Sequence, residues 1–446
     1  MVRKSIEYKI PNDYYVMFCI CIIIATAGLL WDTPQNIFHG LYKINVSRSV
    51  LITDYVELAG IGATLVNSAI LFLFNLLLLV LSKSKPKGRT IAALFLTVGF
   101  SLFGKNLFNT LPIVGGVWLY GRVAKTRFAN LTILAMIGTT IAPIVSEIAF
   151  LNEYTNFPKI LIAYAVGIIV GFIFPLVIES VKSKHNNFCL YKGGIAGGFI
   201  ATMSAGILRS LGVEIVPENY WNTEQAHSLY LSALAFTIAT GLIIYGIIAE
   251  KPALAFQKLK KLINEKDQND CDYFIKYGKT SYINIGIMCI MATALMLSLG
   301  IPVNGPVLGG IFTIAGFGAH GKHLKNTIPI LIGSIIAATY FNHIESTAPL
   351  NTLAILFSTG LAPIAGKYGW HWGILTGFVH VSIAIFIGDI NGGLNLYNNG
   401  FAGCFVVVTV LPIIVASSRF FAKVKNKVKD VIVEHDNPQK EISPNS

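Results

Sequence analysis

Charged residues are scarce in this sequence. Asp, Glu, Lys and Arg make up 13% of the 446 residues, whereas 54% are hydrophobic and the mean hydropathy is +0.64. A soluble globular protein of this length needs far more charge on its surface, so the composition excludes that class. The sequence therefore predicts an all-α integral membrane protein that crosses the bilayer several times.

Catalytic and metal-binding motifs are also missing. The six cysteines form no CxxC pair and show no other metal-ligand spacing, and the chain contains no HExxH, P-loop or Gly-x-Ser-x-Gly sequence. Acids and histidines within the apolar runs are few and scattered. We therefore expect no enzyme activity, no cofactor and no metal.

Apolar runs divide the chain into about fourteen membrane segments. They fall at residues 14–31, 56–81, 90–104, 107–121, 128–146, 159–178, 193–212, 228–248, 281–299, 305–319, 326–342, 349–364, 370–388 and 400–418. With a cytoplasmic N-terminus, the inside loops and tails hold 29 of the 34 Lys and Arg residues, and the outside loops hold five. The positive-inside rule predicts this partition, which supports the count and places both termini in the cytoplasm. Topology thus explains the net charge of +12, and no nucleic-acid partner is expected.

One nine-residue string occurs twice. GKNLFNTLP at 104–112 and GKHLKNTIP at 321–329 share six residues at an offset of 217. Downstream, TILAMIGTTIAPI (132–144) aligns with TLAILFSTGLAPI (352–364), and LYKGGIAG (190–197) aligns with LYNNGFAG (396–403). These collinear matches indicate two repeats of seven segments, residues 1–223 and 224–446. Because seven is odd, the second repeat must cross the membrane in the opposite sense, which makes this an inverted-topology repeat.

The doubled string supplies the first candidate site. In each copy a proline follows Asn and Thr, so we expect a helix to start there, with Asn or Thr as its cap. The preceding segment is short, and two half-length helices joined by a polar tip would form a re-entrant hairpin that lines a cavity. The alternative is an ordinary interfacial turn. The candidate substrate-binding residues are Lys105, Asn109, Thr110, Lys322, Asn326 and Thr327.

The second candidate site lies at LYKGG and LYNNG. Each string begins a Gly-rich helix, whose free N–H groups and positive dipole end favour an anion or a carbonyl oxygen. The Gly-x-x-Gly spacing that follows is equally consistent with close helix packing. The second copy is the more polar, and its candidate residues are Tyr397, Asn398, Asn399 and Gly400.

An inverted repeat of this size is typical of secondary transporters. We therefore expect a permease that moves a small polar solute, which could be an anion, by alternating access. A passive solute channel and a membrane protein without transport activity are the alternatives. The expected partners are the lipid bilayer and the solute, and a homo-oligomer is left open.

The strings NTLPIVGGVW, TTIAPIVSE and NLYNNGFAG resemble an uncharacterised family of bacterial integral membrane proteins, a domain-of-unknown-function family, over nearly the whole chain. This resemblance implies a location in the bacterial plasma membrane and no particular substrate. The seven-plus-seven plan is also similar, in topology alone, to the nucleobase and anion transporter fold.

Overall fold

The structure is a computed structural model that describes residues 9–151, 155–184, 188–216, 219–266, 272–341 and 349–435. Arg3 and Lys4 of the N-terminal tail, Cys271 and the last eleven residues lie outside these ranges. Within them the regular structure consists of twenty α-helices and several short 3₁₀ or π segments, which confirms the all-α prediction.

The first half of the chain contains ten helices. They are α1 (Asn12–Trp31), α2 (Pro34–Val46), α3 (Tyr55–Ala59), α4 (Ile61–Leu81), α5 (Gly88–Phe100), α6 (Leu107–Val123), α7 (Thr132–Gly138), α8 (Pro143–Phe150), α9 (Phe157–Lys184) and α10 (Lys192–Ser210). A 3₁₀ turn at Thr139–Ile141 joins α7 to α8.

The second half repeats this order. Its helices are α11 (Gln225–Glu250), α12 (Pro252–Ile263), α13 (Tyr273–Tyr277), α14 (Thr280–Ser298), α15 (Gly305–Gly316), α16 (Leu324–Ile336), α17 (Pro349–Ser358), α18 (Ala362–Tyr368), α19 (Trp370–Asn391) and α20 (Asn398–His435). A 3₁₀ turn at Thr359–Leu361 joins α17 to α18, as in the first half.

Eight of the described helical segments are long and apolar enough to cross a membrane. They are α1, α4, α9, α11, α14, the α17–α18 unit, α19 and α20. The α7–α8 unit would be a ninth, but it is bent by 44° at its break. Helix α5 has 13 residues, about 20 Å at 1.5 Å per residue, against about 30 Å of hydrocarbon. The chain is thus a multi-pass membrane protein, while the count of fourteen segments stays a prediction.

Equivalent helices make equivalent contacts in the two halves. Helix α1 packs on α4 as α11 packs on α14, and α6 packs on α9 as α16 packs on α19. Asn67 Nδ2 on α4 donates to the carbonyls of Ser101 and Lys105 at 2.7 and 2.9 Å. Asn284 on α14, at the offset of 217, donates to those of Gly318 and Lys322, both at 2.8 Å. The sequence repeat is therefore also a repeat of buried hydrogen bonds.

The two halves meet at the centre through glycines. Helices α10 and α20 cross where Gly194 and Gly400 face each other, and a Cβ at either would lie 2.9 Å from the other's Cα. Helices α5 and α15 approach at Gly99 and Gly309, where a Cβ would lie 2.5–2.6 Å from a backbone oxygen. Such close backbone contact requires residues without a side chain. These two contacts thus join four helices, two from each half.

Backbone hydrogen bonds also cross between the halves in matching pairs. Leu190 N, before α10, donates to Gly360 O at 2.9 Å, and Leu396 N, before α20, donates to Thr140 O at 2.9 Å. The start of the last helix of each half therefore lies against the 3₁₀ turn of the other half, which joins α7 to α8 or α17 to α18.

Candidate functional site

Both lysines of the doubled string are fully buried. Lys105 lies between α5 and α6, Lys322 lies at the equivalent place before α16, and each has 0% of its surface exposed. An interfacial turn would leave these ammonium groups in water, so their burial argues against that alternative. Lys325, by contrast, is exposed.

The prediction that each copy starts a helix at its proline is wrong. Helix α6 begins at Leu107 with Asn106 as its N-cap, so Pro112 lies inside it. Helix α16 begins at Leu324 after His323, and Pro329 likewise lies inside. The start moves upstream because a side chain three residues into the helix caps it, an arrangement that sequence spacing alone did not separate from a proline start.

Asn109 and Asn326 are those capping side chains. Each accepts a 3.0 Å hydrogen bond at Oδ1 from the backbone N–H of the cap residue and donates from Nδ2 to a glycine carbonyl, Gly104 or Gly321, at 2.9 Å. Thr110 Oγ1 donates to Asn106 O at 2.8 Å, and Thr327 Oγ1 donates to Asn326 Oδ1 at 3.1 Å. These four candidate residues therefore hold the tips that carry the lysines.

His323 takes the cap position in the second copy. Its Nε2 lies 3.1 Å from Glu265 O. Because a carbonyl oxygen can only accept, the Nε2–H donates this hydrogen bond.

Lys322 is held by two hydroxyl groups. Its Nζ donates to Tyr191 OH and, at 2.8 Å, to Thr359 Oγ1, and it lies 4.5 Å from the centre of the Tyr191 ring and 5.2 Å from that of Phe317. Tyr191 and Thr359 were not among the predicted residues. The signal was present, because Tyr191 is the repeat equivalent of the predicted Tyr397.

Lys105 has a different environment. Its Nζ lies 5.2 Å from the centre of the Phe100 ring, which repeats the Lys322–Phe317 contact. No described residue accepts a hydrogen bond from this ammonium group. The two repeat-related lysines thus share a scaffold but differ in their hydrogen bonds.

Aromatic rings connect the two lysines. The ring centres of Tyr191 and Tyr397 are 4.6 Å apart. The ring centre of Tyr191 lies 5.0 Å from that of Phe317, and the ring centre of Tyr397 lies 5.2 Å from that of Phe100. Phe357 packs against the same cluster, 5.9 Å from Tyr397. The structure therefore brings Lys105, Lys322 and Tyr397 of the predicted site into one buried region, which we call the central cluster.

The remaining candidates lie at the start of α20. Asn398 Oδ1 accepts from Asn391 Nδ2 at 2.7 Å, and Asn399 Oδ1 lies 3.1 Å from His380 Nε2. Gly400 sits at the α10–α20 crossing. These residues contact α10 and α19, and they contribute to the helix packing next to the central cluster.

A cavity of about 480 Å³ opens beside the cluster. Its wall includes three basic side chains, Arg89, Lys192 and His320, together with Asn130, and it also includes Phe317 of the central cluster and Cys189. The apolar part of the wall comes from α5 and α7. A cavity of this size matches those that hold small molecules.

Two positions of the second half are more deeply buried than their equivalents in the cavity wall. Ile133 and Ile137 line the cavity and are half-buried, whereas their equivalents Leu353 and Phe357 are each 2% exposed. The equivalent of His320, Phe103, is fully buried. The two halves therefore share a fold and differ in their packing around the centre.

The fold and this buried region define a multi-pass α-helical membrane protein with a central polar cluster. Residues 33–210 and 251–416 match the family described as protein of unknown function (DUF1576), and the chain belongs to that family. The two matched segments begin just after α1 and α11, at equivalent points of the two halves. No curated protein and no solved structure matches the chain.

Proposed function

We propose that this protein is a secondary transporter of the bacterial plasma membrane that moves a small polar solute by alternating access. Residues 1–223 and 224–446 are its two inverted repeats, with fourteen segments in all and both termini in the cytoplasm. The central cluster, at the junction of the repeats, is the solute site.

The repeated hydrogen bonds support the two-repeat architecture. A duplicated unit that enters the membrane in opposite senses can exchange conformations between its copies, so a site on the axis between them faces either side in turn. The central cluster lies where equivalent helices of the two halves meet, as such a site requires.

Structural differences between the two halves support alternating access. The cavity of about 480 Å³ borders the first-half helices α5, α7 and α10, and two of its lining residues, Ile133 and Ile137, are more exposed than their second-half equivalents. The α7–α8 unit is bent by 44°, whereas its equivalent α17–α18 qualifies as one 20-residue span. Arg89 and Lys192 lie in the first turns of α5 and α10, next to loops that the charge distribution assigns to the cytoplasm. This asymmetry fits a carrier whose site is reached from the cytoplasm and closed on the other side.

Counterflow in proteoliposomes tests the proposal. Vesicles loaded with an unlabelled solute are diluted into the same solute in labelled form, over a panel of organic acids, amino acids, sugars, nucleobases and inorganic anions. A carrier accumulates the label transiently above equilibrium for at least one solute. Flux that equilibrates without such an overshoot indicates a channel, and absence of flux for every member indicates a membrane protein without transport activity.

A further inference from the structure

Two buried ammonium groups lie at the centre without a counter-charge. Lys105 and Lys322 are each 0% exposed, and neither takes part in any of the ion pairs formed within the described ranges. A charged group is costly to bury unless an opposite charge and hydrogen bonds accompany it. Lys322 has hydroxyl partners, but these carry no negative charge. An anion that entered the central cluster would therefore supply the opposite charge that both lysines lack.

The cavity beside the cluster carries charge of the same sign. Arg89 is exposed at the start of α5, Lys192 is half-buried at the start of α10, and His320 is a third basic side chain, while the lining includes no Asp or Glu. The first turns of α5 and α10 also direct their positive dipole ends towards this region. A cavity lined by one sign of charge concentrates solutes of the opposite sign.

The walls favour an anion with an apolar body. The central cluster contains five aromatic rings, and the cavity wall also includes aliphatic residues such as Ala93, Leu96 and Ile137. A strongly hydrated inorganic anion would lose its water there and gain few hydrogen bonds. An organic carboxylate places its apolar part against these walls and its two oxygens against an ammonium group.

Resting on the proposed transport function, we propose that the solute is a small organic monocarboxylate and that its carboxylate pairs with Lys322 when it enters from the cavity. The anion replaces Tyr191 OH and Thr359 Oγ1 as the acceptor for Lys322 Nζ. Lys105, the repeat equivalent on the Phe100 and Tyr397 side, makes the corresponding contact when the site faces the other way. One cation then receives the carboxylate in each orientation.

Ligand binding to the full-length protein in detergent tests this assignment. Propionate and benzoate are compared with propionamide and benzamide, which have nearly the same shape and no charge, and with chloride and phosphate. Binding is measured by the shift in melting temperature and by calorimetric titration. We expect the two carboxylates to bind, and the amides and inorganic ions to bind at least about tenfold more weakly, as loss of a charge-assisted hydrogen bond implies.

Variants locate the site. Lys322→Gln should weaken carboxylate binding about tenfold to a hundredfold. Lys325→Gln, which removes an exposed lysine three residues away, is the matched control and should leave it unchanged. Arg89→Gln should weaken binding only a few fold, and that loss should disappear at high ionic strength because a rim charge is screened by salt. Unchanged melting temperatures of the ligand-free variants show that they fold.

Several outcomes would overturn the assignment. Equal binding of amides and carboxylates would show that charge is not recognised, binding of phosphate or chloride alone would indicate an inorganic anion, and absence of any carboxylate shift would remove the ligand class. Carboxylate binding that Lys322→Gln leaves intact would place the site elsewhere. Failure of the transport proposal is distinct: carboxylates would bind as described while counterflow stays absent, and counterflow of an uncharged solute would overturn the ligand class alone.

Discussion

Glu147 is a fully buried carboxylate whose partner comes from a distant part of the chain. Arg48 Nε and Nη2 donate to its two oxygens at 2.8 and 2.7 Å, and Arg48 also donates to Val216 O at 3.1 Å. The glutamate is 0% exposed and the arginine 21%. The pair thus joins α8 to the loops that precede α3 and follow α10, and the two-point geometry favours a strong interaction.

Removing one partner of this pair should cost unequal amounts. Arg48→Gln leaves a buried carboxylate uncompensated and should lower the free energy of unfolding by about 3–5 kcal/mol. Glu147→Gln leaves the charge on the more exposed arginine, which keeps water and Val216 O as partners, so the loss should be nearer to 1–2 kcal/mol, roughly that of one hydrogen bond. Denaturant titration in micelles measures both. An equal or reversed order would show that the buried carboxylate is not the charge that needs compensation.

The sequence was sufficient to pair Lys105 with Lys322 because both stand at the same position of a repeated string. It was not sufficient to find the partners of Lys322, since Tyr191 and Thr359 lie 131 and 37 residues away along the chain. Contacts that cross between repeats depend on how the halves dock. The single lead was the equivalence of Tyr191 with the candidate Tyr397.

At the scale of helices, the predicted starts of α10 and α20 agree with the structure, whereas those of α6 and α16 do not. Gly-rich strings after a polar residue marked the first two correctly. For α6 and α16 the proline indicated the wrong start, because the N-caps lie six residues before it, at Asn106 and His323. A proline six residues into a helix loses one hydrogen bond, which a membrane helix tolerates when neighbours satisfy the carbonyl.

The α10–α20 crossing gives a prediction at this scale. Gly400→Ala would place a Cβ 2.8 Å from Tyr191 O and 2.9 Å from Gly194 Cα, so it should force the helices apart and cost about 1–3 kcal/mol. Gly206→Ala, on α10 with no atom within 4 Å of the new Cβ, is the matched control and should be neutral or slightly stabilising, because alanine favours helix. Thermal unfolding in detergent compares them. Equal melting temperatures would show that the crossing tolerates a side chain.

Substitution of Asn398 distinguishes a packing role from a binding role at the start of α20. Its Oδ1 accepts one hydrogen bond from Asn391, so Asn398→Ala should cost about 1 kcal/mol of stability. Because the side chain points to a partner on α19, we expect binding of propionate or benzoate to change less than twofold, roughly 0.4 kcal/mol. Calorimetric titration decides this. A loss comparable to that of Lys322→Gln would return Asn398 to the solute site.

At the scale of the whole molecule, two observations point in different directions. Equivalent helices pack alike and repeat their buried hydrogen bonds, as with Asn67 and Asn284. The centre nevertheless differs, because Lys322 has two hydroxyl partners while no described residue accepts from Lys105. Symmetry of this kind follows from sequence, since repeats can be aligned. The hydrogen bonds at the centre cannot be read from the repeats alone, because they also depend on how the two halves dock against each other.

The opposite membrane sense of the repeats can be tested at one pair of equivalent residues. Val123 ends α6 and is 65% exposed, and Tyr340, at the offset of 217, lies in the turn after α16 and is 76% exposed. In an inverted repeat these positions lie on opposite sides of the membrane, with Val123 in the cytoplasm. An impermeant maleimide applied to intact cells should therefore label Tyr340→Cys at once and Val123→Cys only after permeabilisation, with the parent chain and its native cysteines as the background. Labelling of both from the same side would mean that the two halves run through the membrane in the same sense, and alternating access by exchange between inverted copies would then have no structural basis.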